Sequence, residues 1–210
     1  MIESRCGILC SRCKYKDEVG CAGCINIDKP FWGDSCPVKN CCERQGTLHC
    51  GLCSDFPCTL LNEFAYDKEQ GDDGLRIEQC RLWYAKQFMT DVAGQNAEAL
   101  PSYFTPDAVI CWHDSNEKFT VSEYVRANCE YPGEWKGEVQ RADKIDGGMV
   151  IVTKIRSDDR AHFVTAFVKM AQGKICRLDE CYSDCGEAPD WRKAMKIGKA
   201  INIDGGQGNE

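Results

Sequence analysis

The sequence predicts an α+β protein in two unequal parts, and three observations predict it. Eleven of the 17 cysteines fall before residue 60, and the other six are scattered over the rest of the 210 residues. Four runs of β-type residues follow one another late in the chain. Short turns rich in glycine and aspartate separate those runs, which marks antiparallel hairpins rather than crossovers. The expected architecture is a curved antiparallel sheet packed with helices over 73–200. A small, irregular, metal-stapled cysteine-rich domain over 1–72 precedes it, and a flexible tail over 201–210 follows.

The cysteine-rich segment comes first. Its thiols run Cys6-x3-Cys10-x2-Cys13, Cys21-x2-Cys24, Cys36, Cys41-Cys42 and Cys50-x2-Cys53-x4-Cys58. Two residues between cysteines allow a tight turn that aims both sulfurs at one ion about 2.3 Å away. Apolar residues here are few and isolated, and only Leu60, Leu61 and Phe64 suggest a short helical face. A unit this small needs staples. Two zinc ions suit the spacing. The preferred grouping is Cys10, Cys13, Cys21 and Cys24 at one ion and Cys36, Cys41 or Cys42, Cys50 and Cys53 at the other, and an interleaved pairing fits the spacing equally well. Cys6, Cys58 and His49 stand in reserve, and His49 alone also reads as an exposed loop histidine.

Other chemistries compete for these thiols. No apolar export segment opens the chain, so the expected compartment is the cytoplasm, where thiols stay reduced and disulfides are disfavoured. An odd cysteine total also leaves at least one thiol over in any full pairing. An iron–sulfur cluster is the minority alternative to zinc. The triplet Cys6-x3-Cys10-x2-Cys13 matches the spacing of radical S-adenosylmethionine enzymes, but the long β/α barrel those enzymes need is missing.

Residues Cys6-Gly7-Ile8-Leu9-Cys10-Ser11-Arg12-Cys13, Cys21-Ala22-Gly23-Cys24 and His49-Cys50-Gly51-Leu52-Cys53-Ser54-Asp55-Phe56-Pro57-Cys58 resemble a bacterial and archaeal cysteine-rich domain family of unknown function. That resemblance covers nearly all of residues 3–65. It implies zinc binding and no particular activity.

The polar, glycine-bearing stretch Tyr66–Gly74 reads as a linker, with a boundary near residue 72. Beyond it, Ile77, Cys80, Tyr84, Phe88 and Val92 recur at helical spacing. Ala97–Phe104 is a second, shorter helix interrupted by Pro101. A strand over Ala108–His113 and a partner over Glu117–Thr120 come next, then a helix over Val121–Cys129. The four β runs cover roughly 137–145, 149–157, 161–171 and 174–182. Their turns are Asp146-Gly147-Gly148, Ser157–Arg160 and Gln172-Gly173-Lys174.

Tyr103-Phe104-Thr105-Pro106-Asp107-Ala108-Val109, Phe119-Thr120-Val121-Ser122-Glu123-Tyr124 and Gly173–Tyr182 resemble SnoaL-like proteins of the nuclear transport factor 2-like superfamily. The segment Ala188–Lys199 resembles the tail of one bacterial subgroup. The resemblance implies a cone-shaped sheet with an apolar pocket at its open end, and a homodimer formed through the sheet. It leaves the chemistry open, because isomerases, cyclases, dehydratases and non-catalytic members share the fold.

Strand alternation gives the candidate pocket residues. Cys176, Leu178, Glu180 and Tyr182 fall on one face of the last run, while Ile175, Arg177, Asp179 and Cys181 fall on the other. Glu180 in an apolar cavity would act as a general acid or base, with His113 and Tyr182 as polar partners. Equally, Glu180 would pair with Arg177 or Arg156, or simply meet solvent. Trp112, Tyr124 and Trp135 are candidates for the mouth. Cys80, Cys111, Cys129 and Cys176 read as small buried apolar residues.

The leading function is therefore a zinc-binding protein with a pocket for a small apolar molecule, in a binding or scaffold role. The zinc module is an additional docking surface for a protein partner. One alternative is an isomerase, cyclase or dehydratase that uses Glu180 and His113 on a small apolar carbonyl compound. Another is an iron–sulfur or thiol redox sensor. A formal charge of −7 argues against nucleic acid as a partner, and no apolar run spans a membrane.

Overall fold

The computed structural model describes residues 1–199 and Ile201. Apart from Ile201, the tail expected over 201–210 lies outside the described residues. No helix among the described residues is long and apolar enough to cross a membrane.

The first 65 residues form short elements joined by tight turns. Three helices, α1 (Tyr15–Glu18), α2 (Pro37–Gln45) and α3 (Thr59–Ala65), alternate with 3-10 turns at Cys10–Arg12, Cys24–Asn26 and Cys50–Leu52. The C-x2-C spacing explains two of those turns. The Cys13 N–H donates to the Cys10 carbonyl at 3.2 Å, and the Cys53 N–H to the Cys50 carbonyl at 3.0 Å. Pro37 opens α2, where its missing N–H costs nothing, and Gly46 closes it in the left-handed region.

The rest of the chain builds one sheet and its helices. Helix α4 (Leu75–Ala93) leads through a 3-10 turn at Leu100–Tyr103 to β1 (Phe104–Trp112) and β2 (Glu117–Phe119). Helix α5 (Val121–Cys129) follows, then β3 (Lys136–Ile145), β4 (Gly148–Arg156), β5 (Ala161–Ala171) and β6 (Lys174–Asp184), and a short α6 (Asp190–Ala194). Thr120 and Glu123 close a reciprocal capping box at the start of α5. Gln172 and Gly173 both take positive φ, as the tight turn between β5 and β6 requires.

The sheet order is β2-β1-β6-β5-β4-β3. It is mixed, not purely antiparallel as expected, because β6 returns beside β1 in the same direction. The excursion through β2, α5 and three more strands supplies the length that a parallel return needs. Strand β1 also begins earlier than expected. Pro106 breaks the β-type run in sequence, but it falls where the pairing register slips between Phe104 and Val109, so no ladder N–H is missed there. Between α4 and β1, Pro101 leaves only the 3-10 turn of the expected second helix.

A register slip in β6 moves one expected face. Ile175 pairs with Met170, and Arg177 with Lys169, so Cys176 is left over as a bulge. Ile175 consequently joins Leu178 and Glu180 inside, and all three are fully buried. Cys176 turns outward, with its thiol 3.4 Å from the Lys169 carbonyl. Cys111 and Cys129, also expected inside, are only half-buried.

Two apolar clusters hold the chain, and α4 serves both. Ile77, Cys80 and Trp83 from its first turns pack with Cys6, Val38, Cys42, Cys50, Leu61 and Ala65. Further along, Tyr84, Phe88, Met89 and Val92 pack with the sheet and the Leu100–Tyr103 turn. Cys80 is thus a member of the cysteine-rich core. Two glycines set how closely the parts approach. A Cβ on Gly7 would sit 1.9 Å from the Arg76 carbonyl oxygen, and one on Gly173 would sit 2.4 Å from Ser54 Cα. Both glycines have positive φ, so the close contact and the backbone conformation demand the same residue.

Candidate functional site

The thiols gather in two neighbourhoods. The first joins the Cys10 and Cys24 turns. An ideal Cβ on Gly23 would lie 3.9 Å from Cys10 Sγ, and the Glu3 carbonyl accepts from the Cys10 thiol at 3.3 Å. Burial pushes the Cys24 thiol up to about 11, and Cys6, Cys36 and Cys10 are close enough to push it the same way. Cys13 and Cys21 act likewise on Cys10.

The second neighbourhood is a cavity of about 20 Å³ lined by Cys41, Cys42, Cys50, Cys53 and Cys58, closed by Val38, Phe56 and Leu61. A space that size holds a single small particle. Cys42 and Cys50 Sγ are 3.5 Å apart. Their hydrogen bond eases ionisation of Cys42 to about 7 and pushes Cys50 up. Cys58, expected as a reserve, lines this cavity, whereas Cys36 lies toward Cys6 and Cys24. Among the described residues, no three cysteine, histidine or carboxylate side chains close into a ready ligand set.

His49 is not the exposed loop histidine of the alternative reading. It is fully buried, and its Nδ1 accepts from the Gly51 N–H at 3.1 Å. Its ring meets Trp83 edge-on with centroids 5.5 Å apart. Its Nε2 has no hydrogen-bond partner among the described residues. Burial pushes the imidazole down to about 4, so it is neutral at physiological pH.

Glu180 lies inside the sheet half and is fully buried. Trp112 Nε1–H donates to its Oε2 at 2.8 Å. The Tyr182 hydroxyl donates to the same oxygen, and the Tyr124 hydroxyl to Oε1, each at 3.4 Å. Burial pushes the carboxyl up to about 7 against the pull of these donors. Phe119 stacks against Trp112 with centroids 4.6 Å apart, and Trp112 meets Tyr182 edge-on at 5.5 Å. Aromatic side chains therefore wrap the carboxylate.

Of the predicted partners, Tyr182 meets Glu180 and His113 does not. His113 Nε2 is 2.8 Å from Asp179 Oδ1 on the opposite face of the strand, where Arg177 also binds Asp179. The backbone links them differently, since the His113 N–H donates to the Glu180 carbonyl at 2.9 Å. Neither Arg177 nor Arg156 reaches the Glu180 carboxylate. Trp112 and Tyr124, expected at the mouth, both reach Glu180, and strand alternation does not reveal that Trp112 lies beside Glu180. The two pair directly across β1 and β6. Trp135 lies elsewhere, packed on His162 and beneath Arg160.

Comparison with known proteins separates the two halves. Residues 2–63 match the family model described as "Protein of unknown function (DUF3795)". No curated protein matches the chain. A candidate ketosteroid isomerase from Kribbella flavida aligns at 21% identity with a TM-score of 0.50, over 59% of this chain and 92% of its own. A nuclear transport factor 2-like protein of unknown function from Burkholderia xenovorans aligns at 18% identity with a TM-score of 0.49, over 60% of this chain and 99% of its own. The sheet half has the nuclear transport factor 2-like fold. At these identities the likeness concerns fold alone.

Proposed function

We propose that the chain is a zinc-binding protein with a binding role, in which the cysteine-rich half is a metal-stapled wall on a small-molecule-binding sheet domain. The observation that carries this reading is the convergence of Cys41, Cys42, Cys50, Cys53 and Cys58 on one small cavity. Four thiolates from such a set suit a tetrahedral zinc site. Cys10, Cys13, Cys21 and Cys24 would hold a second ion, with Cys6 and Cys36 beside them. Zinc there supplies folding energy and no redox chemistry. Side-chain rotations bring the sulfurs to the ion.

Metal analysis with an absorption spectrum, on protein purified without oxygen or chelator, tests the reading. About two zinc ions per chain and no visible absorption are expected. Iron with broad visible absorption would replace it with the iron–sulfur alternative.

A second reading, an isomerase-type enzyme, rests on the raised carboxyl of Glu180 beside two tyrosine hydroxyls. The enclosure of that carboxylate and the divergence of His113 favour a binding role instead. Deuterium exchange next to the carbonyl of small ketones, abolished by Glu180→Gln, would restore the enzyme.

A further inference from the structure

A cleft of about 310 Å³ lies away from Glu180, where the two halves meet. The loop after Gly51 forms one wall and the first half of α4 another. The β3–β4 and β5–β6 turns form the third. Its size falls in the range of small-molecule sites. Its lining contains two cations, Arg81 and Lys144, and no carboxylate, in a chain whose net charge is −7. A lining without a carboxylate is the first observation, with Lys144 its one cation not paired to a carboxylate among the described residues, because Glu78 pairs Arg81 from outside the lining.

The second is the state of Arg81. It is only 6% exposed, and its guanidinium lies over the Phe56 ring at 5.7 Å. Glu78, which is half-exposed, engages Nη1. Among the described residues nothing else accepts from this guanidinium, so a second donor edge is left for an acceptor. An enclosed guanidinium with a free edge suits a carboxylate, which it can bind through two parallel N–H bonds. Tyr84, only 3% exposed, adds its side chain to the wall of the same cleft. Phe56, Met149 and Met170 supply the apolar part of the wall.

We propose that this cleft binds a small organic carboxylate with a flat, apolar body, held by Arg81 and drawn in by Lys144. The aromatic and thioether groups cover the body. This deepens the binding role proposed above by naming a site and a ligand class. It rests on that reading only in needing the cysteine-rich loop in place, because Cys53, Ser54 and Phe56 form one wall.

The test is calorimetric titration of the full, metal-loaded chain with benzoate, benzamide and phenyl phosphate. Benzoate is expected to bind, and neutral benzamide at least about tenfold more weakly. Arg81→Gln is expected to weaken benzoate by about tenfold or more. Since Arg81 is packed in the interior, the exposed Lys144→Gln serves as the second variant. It should keep the native melting temperature and weaken benzoate by about twofold to threefold, with the difference fading in salt. Equal affinity for benzoate and benzamide, or no benzoate binding up to about 10 mM, overturns the proposal. Tighter binding of phenyl phosphate than of benzoate overturns the carboxylate assignment. A protein that carries zinc yet ignores benzoate loses the cleft and keeps the scaffold. One that binds benzoate without zinc does the reverse.

Discussion

Glu180 and His49 are buried equally completely, one in each half, and their surroundings differ. Three donors from Trp112, Tyr124 and Tyr182 close around Glu180. His49 has the Gly51 N–H on one nitrogen and, among the described residues, nothing on the other. Around Glu180 the sheet half supplies the buried polar partners from its own side chains, on top of an aromatic and aliphatic core, although the Tyr84, Thr105 and Thr153 hydroxyls have no partner among the described residues. The cysteine-rich half has a smaller cluster in which Cys6, Cys42, Cys50 and Cys80 take places that leucine or valine would fill elsewhere. Thiols packed as core residues contribute less apolar area per residue, which supports a design that draws its remaining stability from metal bonds.

The experiment with the largest expected effect breaks that contrast outright. Under the zinc reading proposed above, a strong thiol-competing chelator should unfold the cysteine-rich half, because a structural zinc contributes on the order of 10 kcal/mol. The sheet half should keep its β-sheet circular dichroism, while Trp83 fluorescence shifts to the red. A single melting transition, unmoved by chelator, would remove the metal staple from the account.

The next effect sharpens the sheet side. Burial raises the Glu180 carboxyl from 4.5 to about 7 in the folded chain. The folded state therefore holds a proton that the unfolded state gives up earlier. Stability from this group is full below pH 4.5 and is lost as pH rises through about 7, a fall of about 3 kcal/mol. Asp114 pushes the same way, while the Tyr124 and Tyr182 hydroxyls stay protonated. Glu180→Gln should flatten urea-derived stability between those pH values, and an unchanged slope would assign the fall to other groups.

The join between the halves comes third. Gly173→Ala forces a Cβ against Ser54 and strains a positive φ, so a loss of about 2 kcal/mol is expected. Gly147→Ala carries similar strain, φ +69, but meets nothing within 4 Å. The difference between the two variants, read from melts, isolates the docking contact. Equal losses would mean that the contact yields freely. Smallest is Thr120→Ala, which removes the α5 cap and should cost about 1 kcal/mol while leaving the chelator response unchanged.

The sequence made the sheet half readable wherever local chemistry was decisive. The Thr120–Glu123 box and the Gln172-Gly173 turn each encode their own conformation. Sequence could not reveal the β1–β6 pairing, because no local signal specifies which distant strand returns alongside. Nor did it reveal the bulge at Cys176, since a register slip belongs to two strands at once. In the first half the C-x2-C turns were legible and the sulfur neighbourhoods were not. Cys58 and Cys36 exchange their expected places because α2 and α3 carry them to different sides of one small core. The cleft around Arg81 lay beyond reach, as its walls come from three separate stretches of chain.

Helix α4 carries one further consequence, for the order of synthesis. The cysteine-rich segment leaves the ribosome first, yet Ile77, Cys80 and Trp83 complete its core. At about 5–20 residues per second, its thiols wait roughly one to a few seconds before α4 has emerged to cover them. The sheet can assemble only after that. A chain stalled between α3 and α4 would expose its cysteines to oxidation, so translation speed through that short interval bears on the yield of folded protein.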